Sequence, residues 1–246
     1  MPAAILTYHQ IVPDGARGRS FYALARSGFE RQVDVIARRT CGRVDGMIDL
    51  VGGHRVCLSF DDGTADHRWA ADTLRSRGLV GTFFVITGRL GQDGWLSEAD
   101  VSMMALQGHR IASHSVTHAR LPTLGPDQLA FELTISKEHL ERLTGRMVDW
   151  LATPGGYCDD HCVEAATTVG YSVIRTMEWG YPSIPLRGRV PCLPVLPQYD
   201  LAMFQRLIEG SAPIWLHRTK QHFKRALGES LYVRLRDLGG RMLGAA

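Results

Sequence analysis

Short apolar runs alternate with amphipathic segments along most of the chain, and this alternation constrains the fold more than any other feature of the sequence. Six runs have the length and composition of buried strands, and they lie at 3–9, 55–60, 80–86, 110–113, 147–152 and 171–176. Four segments between them have helical periodicity, at 64–77, 97–107, 126–143 and 159–169. Strands that alternate with helices in this way predict βα units around a mostly parallel sheet.

The segments 126–143 and 177–199 differ in how clearly their sequences indicate a secondary structure. The 126–143 segment is the clearest helix, because Pro126 suits a first helical turn, four leucines share one face, and Gly145 follows the last turn. The segment 177–199 is rich in proline and glycine, so it is predicted to be irregular, with one strand at 190–195.

Composition excludes several classes of protein. A chain of 246 residues with 45% hydrophobic residues is long enough to bury the core of one barrel or α/β domain. A net charge of +3 is too small to indicate a nucleic-acid-binding protein. No apolar run has the length of a membrane span, and the first residues lack a signal-peptide pattern, so we expect a cytoplasmic location. Five cysteines without scaffold spacing indicate reduced thiols.

The charge is not evenly distributed, because the last thirty residues are basic. They contain 7 Lys and Arg and 2 acidic residues, and their leucines are spaced as on one helix face. We therefore predict a catalytic domain over 1–212 and a basic helical tail over 213–246. The tail either packs on the domain with a solvated basic face or contacts an anionic membrane or a lipid-linked substrate.

Two adjacent carboxylates follow the second apolar run, at Asp61 and Asp62, and Gly63 comes directly after them. Active sites of α/β barrels lie at the carboxyl ends of the strands, and a glycine at that point lets the chain turn so that both carboxylates reach one cavity. The alternative is structural, because Asp is also a favoured first residue of a helix.

Two histidines, His114 and His118, follow the fourth apolar run and are four residues apart. On a helical turn this spacing places both imidazoles on one face, where they can bind one metal ion. Two histidines and one carboxylate leave coordination positions open, as hydrolytic metal centres require. Since one carboxylate binds the metal, its neighbour remains able to accept a proton from water.

These motifs resemble the polysaccharide deacetylase family (NodB-type, carbohydrate esterase family 4). The resemblance extends through Gly81-Thr82-Phe83-Phe84-Val85, Trp95-Leu96, Gly108 to His114, and Ser136-Lys137, and it covers roughly residues 3–210. It implies a distorted (β/α)7 barrel that hydrolyses N-acetyl groups of amino sugars with one divalent metal. That metal is expected to be zinc, with cobalt, nickel or iron as alternatives.

The resemblance also implies a role for each motif residue. Asp61 matches the catalytic base of the family, and Asp62, His114 and His118 match its three metal ligands. The substrate is therefore expected to be an N-acetylated sugar in a glycan, a lipid-linked sugar or a sugar-containing metabolite.

A loop with two glycines stands where the family carries its oxyanion-stabilising motif. Pro154, Gly155 and Gly156 occupy that place, and the backbone N–H at the Gly155 position helps to hold the oxyanion in the family. The family often has an arginine two residues before this proline, where it supports the base. In this sequence that residue is Ala152, which leaves the support of Asp61 open.

The general acid has two candidates. The chain start resembles a permuted subgroup that includes poly-N-acetylglucosamine deacetylases, in which the acid-bearing strand comes first, and this favours His9. His217 is the alternative, because many members carry the acid after their last strand. His9 could also be a buried histidine with no role in proton transfer.

Three other positions complete the sequence predictions. Tyr157 and Trp179 are candidate substrate contacts, while Cys192 stands where relatives of this subgroup tend to have arginine. Cys192 is therefore expected to alter either the substrate rim or an internal ion pair. Two further functions stay open: a deformylase or other amide hydrolase on the same scaffold, and a non-catalytic carbohydrate-binding relative.

Overall fold

A computed structural model describes residues 3–18, 20–44, 47–215 and 217–219, and within them the predicted alternation of strands and helices is confirmed. The strands are β1 (Ala3–Tyr8), β2 (Ile11–Val12), β3 (Leu24–Ala25), β4 (Thr40–Val44), β5 (Met47–Leu50), β6 (His54–Phe60), β7 (Thr82–Val85), β8 (Arg110–Ser113), β9 (Trp150–Ala152), β10 (Val173–Trp179) and β11 (Gly188–Pro194). The helices are α1 (Arg26–Arg39), α2 (Asp66–Ser76), α3 (Glu98–Leu106), α4 (Pro126–Thr144), α5 (Asp160–Val169) and α6 (Leu201–Ile208).

Seven parallel strands close into a barrel, as the distorted (β/α)7 fold requires. Their order is β1-β11-β10-β9-β8-β7-β6, and β1 also pairs with β6, from Ala3 beside Arg55 to Tyr8 beside Phe60. All of these strands run in one direction, so their carboxyl ends meet at one end of the barrel, which we call the mouth. The opposite end is called the amino end.

Side chains that alternate along each strand fill two separate cores. On the outer face of the barrel, the rings of Tyr8, Phe60 and Phe83 stack in a row beneath helices α1 and α2. Their centroids are 5.2 and 4.5 Å apart. Inside the barrel lies a second core of mostly smaller residues, among them Ile5 and Cys57. Because both faces of the strands are covered, the strands read as nearly continuous apolar runs.

Several elements were not predicted from the sequence: helix α1, the short parallel pair β2–β3, the antiparallel hairpin β4–β5, and helix α6. Helix α1 begins after Ala25, which makes no side-chain capping bond, and its first turn has no acidic residue. The usual signals of a helix start are therefore missing. The helix forms because Phe29, Val33 and Ile36 are buried against the barrel.

The glycine- and proline-rich segment is more regular than predicted. Strand β10 continues to Trp179, and a β11 of seven residues contains most of the strand predicted at 190–195. Pairing between the two strands fixes both, although their register shifts between Arg175 and Trp179.

The predicted basic tail lies almost wholly outside the described residues, which end at Thr219. The boundary between 1–212 and 213–246, and any contact of the tail with a membrane or a lipid-linked substrate, therefore stay predictions. No helix in the described part of the chain is both long enough and apolar enough to cross a membrane.

Candidate active site

Asp61 and Asp62 leave strand β6 at the mouth through an unusual turn. The Asp61 N–H donates to the Tyr8 carbonyl of the neighbouring β1 (2.9 Å), which extends the sheet by one residue. Asp62 and Gly63 then both have left-handed backbones, with φ of 84° and 82°. The helix-capping interpretation is wrong, because helix α2 starts at Asp66 and its capping residue is Ala65.

The two histidines follow strand β8, but the expected helical turn between them does not form. His114 to His118 is an irregular loop in which Ser115 and His118 have φ of 64° and 65°. A non-glycine residue in this region costs about 1–3 kcal/mol. The loop nevertheless brings the two imidazoles together, with ring centroids 4.8 Å apart.

Asp62, His114 and His118 form a cluster that suits a divalent metal ion. The Asp62 Oδ1 lies 3.4 Å from His114 Nε2 and 3.6 Å from His118 Nε2, and the ligand atoms of all three lie within 4.8 Å of one another. The His114 Nδ1 donates to the Ala152 carbonyl (2.8 Å), which leaves Nε2 unprotonated toward the cluster in the neutral ring. One carboxylate and two imidazoles are a donor set that zinc, cobalt, nickel and iron accept.

The ionisable groups of the cluster shift one another's pKa values. Burial alone would raise the pKa of Asp62, but the hydrogen bond and positive charge of His114 hold it well below its usual range. Burial lowers the pKa of His118, and the nearby His114 lowers it further. The ionised carboxylate of Asp62 and the neutral imidazole of His118 are in the forms that bind a metal cation.

Arg175, which sequence reasoning missed, supports Asp61 directly. Its guanidinium donates to Asp61 Oδ1, and both side chains are buried, at 0% and 3% exposure. Burial would raise the pKa of Asp61, but the Arg175 charge lowers it below its ordinary value. Arg175 lies on β10 directly beside Ala152 of β9, the position at which the resemblance led us to expect an arginine.

Cys192 is buried inside the barrel and not at the substrate rim. Its Sγ lies 3.9 Å from Arg175 Nη1 and 3.8 Å from the Met177 sulfur. Of the two consequences considered from the sequence, the structure thus places Cys192 against the internal ion pair.

His9 leaves the carboxyl end of β1 and faces Asp61, with 3.8 Å between His9 Nε2 and Asp61 Oδ2. Tyr22 stacks on the imidazole, with centroids 4.5 Å apart and planes 15° apart. Burial lowers the pKa of His9, and the Asp61 charge partly opposes this. Helix α2 holds the segment, because His67 bonds the His9 carbonyl and Asp66 accepts from the Ile11 N–H at 2.6 Å.

His217 lies in a different environment. Its ring stacks face to face on Trp179, with centroids 3.9 Å apart, and its Nε2 lies 3.0 Å from the Tyr199 hydroxyl. One face of Trp179, a predicted substrate contact, is therefore covered by the imidazole.

The predicted oxyanion loop forms a tight turn at the end of β9. Pro154 and Gly156 are buried while Gly155 between them is exposed, so the Gly155 backbone faces outward. Gly155 and Gly156 have φ of 62° and 74°, and a Cβ on Gly156 would lie 2.6 Å from the Met177 nitrogen. The ring of Tyr157, the other predicted contact, lies under the Arg120 guanidinium at 3.7 Å.

Comparison with known proteins identifies the family. The sequence model of the polysaccharide deacetylase family matches residues 51–174, about half of the chain, so the chain belongs to the polysaccharide deacetylase family. YxkH of Bacillus subtilis is 30% identical over 129 residues, which are 52% of this chain and 46% of YxkH. The peptidoglycan-N-acetylmuramic acid deacetylase PdaA of the same organism is 29% identical over 122 residues, or 48% of this chain and 45% of PdaA. This chain spans about half the length of these relatives.

Solved structures show the same fold. BC0361, a polysaccharide deacetylase from Bacillus cereus, superposes with a TM-score of 0.74 at 22% identity, over 85% of this chain and 69% of that one. IcaB from Ammonifex degensii gives a TM-score of 0.67 at 22% identity, over 85% of this chain and 97% of IcaB.

Proposed function

We propose that this protein is a metal-dependent hydrolase that removes the acetyl group from an N-acetylated amino sugar. The observation that carries the proposal is the contact between two sets of residues at the mouth. The cluster of Asp62, His114 and His118 lies directly beside the buried pair of Asp61 and Arg175, which His9 faces at 3.8 Å. Membership of the polysaccharide deacetylase family supports the same activity.

Asp62, His114 and His118 would hold the divalent ion, with zinc the first candidate. When bound, such an ion supplies a Lewis acid that polarises the acetyl carbonyl and lowers the pKa of water. The hydrogen bond from His114 Nδ1 to the Ala152 carbonyl fixes the ring orientation that this role needs.

The other residues bind and move protons. Asp61, kept ionised by Arg175, accepts a proton from the attacking water, and the N–H of Gly155, an exposed residue, donates to the oxygen that becomes negative. His9 then protonates the amine as the C–N bond breaks. The proton that Asp61 took from water passes to His9, whose Nε2 lies 3.8 Å from Asp61 Oδ2. Because burial favours the neutral form of His9, the ring gives this proton up readily to the amine.

The site residues indicate which bond is cleaved, the amide bond of an N-acetyl group, and several sugars could carry that group. Candidate substrates are a glycan, a lipid-linked sugar or a sugar-containing metabolite, each with an N-acetyl group. PdaA and a second relative, the peptidoglycan-N-acetylglucosamine deacetylase of Bacillus cereus, are peptidoglycan deacetylases by name, so the substrate panel includes peptidoglycan fragments. A cytoplasmic location also stays a prediction, which cell fractionation of the full chain tests.

The test is an acetate-release assay with zinc-loaded full-length protein on free, nucleotide-linked, lipid-linked and polymeric N-acetyl sugars, with N-formyl analogues as a separate arm. We expect acetate from at least one class, and loss of both activity and bound zinc in His114→Ala. His139→Ala is the matched control, because His139 pairs with Glu98 on the outer helices. Full activity in metal-free protein would overturn the mechanism, and release of formate alone would indicate a deformylase.

The general acid is tested by comparing two histidine variants. His9→Ala is expected to lose about 10²–10⁴-fold in kcat with zinc still bound. His217→Ala should keep most of its activity, since its ring is held between Trp179 and Tyr199. The assignment is wrong if only the second variant is inactive.

A further inference from the structure

A buried carboxylate outside the catalytic cluster makes close contacts with the loop between the two histidines. Glu132 projects from helix α4 and is 5% exposed. Its Oε2 accepts from the Val116 N–H (2.8 Å) and the Thr117 N–H (2.9 Å), and its Oε1 accepts from the Thr117 hydroxyl at 2.5 Å. One side chain thus binds two consecutive amides and a hydroxyl of the five-residue segment that carries His114 and His118.

Glu132 has no basic partner among the described residues, since none of their ion pairs includes it. A carboxylate buried without a cation is costly unless hydrogen bonds stabilise it, and here all three bonds come from the loop. Both oxygens are occupied by these donors, so Glu132 is not itself a member of the metal cluster.

The loop needs such support because its backbone is strained. Ser115 and His118, on either side of the two bonded amides, both have positive φ without being glycine. Such conformations persist only where the surroundings over-determine them. The opposite edge of the loop is fixed as well, by the Thr87 N–H on the Ser115 carbonyl (3.1 Å) and the Gly88 N–H on the Val116 carbonyl (2.9 Å).

A second bond network ties the same helix to the strand beneath the loop. Ser136, one turn after Glu132, shares a hydrogen bond with Ser113 at 2.7 Å, and Ser113 accepts from the Ser115 N–H at 3.2 Å. Helix α4 thus reaches the loop at its start through Ser136 and at its centre through Glu132.

We infer that Glu132 is a positioning residue for the metal site, which holds the loop in the strained form that brings His118 to Asp62 and His114. This inference rests on the proposed metal-dependent function. Without Glu132 the two amides lose their acceptor, the loop can relax, and His118 Nε2 moves away from the other two ligand atoms. The consequence is a loss of metal affinity and not only a loss of stability.

The experiment measures the zinc dissociation constant of the full-length protein by competition with a chelating dye, together with the melting temperature with and without zinc. Glu132→Ala is expected to weaken zinc binding about 10–100-fold, as is usual for residues that orient metal ligands. Glu141→Ala is the matched control on the same helix. Glu141 also accepts a backbone N–H, from Val148 at 2.9 Å, but at the amino end of the barrel, so this variant should lose stability and keep the wild-type zinc affinity.

Two milder variants cover the case in which Glu132→Ala does not fold. Thr117→Val removes one hydrogen bond and keeps the shape, so zinc binding should weaken by about 5-fold. Glu132→Gln should stay within a few-fold of the wild type, because its amide oxygen can accept both N–H groups and the Thr117 hydroxyl can turn to accept from its NH2 group.

The outcomes separate the inference from the proposed function. Wild-type protein that binds no zinc would overturn both. Zinc binding that is equally strong in the wild type and all Glu132 and Thr117 variants would overturn the inference alone. A loss in Glu132→Gln as large as that in Glu132→Ala would also overturn it, since it would indicate that charge and not hydrogen bonding is what the loop needs.

Discussion

The two ends of the barrel contain the same types of polar residue, but the ion pair at the mouth is more deeply buried than the one at the amino end. At the mouth, Asp61 and Arg175 form an ion pair that is almost fully buried. At the amino end, Arg110 and Asp149 also pair, at 3.0 Å, but each is more than a quarter exposed and the guanidinium lies over Trp150. Loss of one partner from a buried ion pair is costly, because the remaining charge has no water around it. Each charge of an exposed pair is still solvated by water when its partner is lost.

The histidines differ in the same way. Burial would lower the pKa of His114 at the mouth, but its bond to Asp62 raises it. At the amino end, burial lowers the pKa of His109 to about 4, and its Nδ1 accepts from the Gly81 N–H at 3.1 Å. His109 is thus a neutral structural residue.

Backbone strain lies at one end only. Within the described residues, the non-glycine positions with positive φ are Asp62, Ser115 and His118, and all three belong to the mouth. Strain, buried charge and mutually perturbed titrating groups in one place are the features expected of a functional site, while the amino end follows the ordinary rules of stability.

The largest expected effect comes from replacing the residue proposed as the catalytic base. Asp61→Asn keeps an oxygen acceptor for Arg175 but cannot take up a proton, so kcat for acetate release should fall about 10²–10⁴-fold with zinc still bound. Asp149→Asn at the amino end should leave kcat unchanged. Unimpaired acetate release by Asp61→Asn would contradict the proposed role of the mouth.

The second effect is on stability. Arg175→Met leaves the Asp61 charge buried without its cation, which should cost about 3–5 kcal/mol in the free energy of unfolding. Urea unfolding of chelator-treated protein measures this. The double variant with Asp61→Asn should recover part of the loss, because it removes the isolated charge. If Arg110→Met is as destabilising as Arg175→Met, the contrast between the two ends is wrong.

The sequence was sufficient for the positions of the motifs but not for the backbone that presents them. Asp61 and Asp62 could be placed at the mouth because an apolar strand and a glycine enclose them. The loop from His114 to His118 could not, because its left-handed residues are held by tertiary contacts, above all from Glu132, and no local propensity favours them.

Arg175 was missed although its signal was present. It is the one charged residue within the predicted strand 171–176, between Ile174 and Thr176. A charge in a strand buried on both faces requires a buried partner, so this position could have been matched with Asp61. Helix α1 has fewer sequence signals, since its capping residue is alanine and its first turn has no acidic residue.

The third effect is a pH dependence of stability that arises from His109 at the amino end. The pKa of His109 is about 4 in the folded protein and about 6.5 when unfolded, so the unfolded chain binds the proton first as the pH falls. Its contribution to stability is therefore complete above pH 6.5 and is lost as the pH falls towards 4, by up to about 3 kcal/mol. His109→Asn keeps an acceptor for Gly81 and cannot titrate. Urea midpoints at pH 7 and 4.5 in chelator-treated protein should differ less in this variant, and an equal difference would contradict the assignment.

The smallest effect is expected where the exposed ion pair is neutralised. Asp149→Asn keeps one oxygen for the Arg110 bond (3.0 Å), and the Ser172 hydroxyl, 2.8 Å from the other carboxylate oxygen, can turn to accept from the new NH2 group. The change therefore removes only a charge that water already screens. The free energy of unfolding should change by about 1 kcal/mol or less, and 0.5 M salt should reduce the difference further. A loss of several kcal/mol would mean that the amino end depends on its charges as strongly as the mouth does, and that strain rather than buried charge is what distinguishes the two ends.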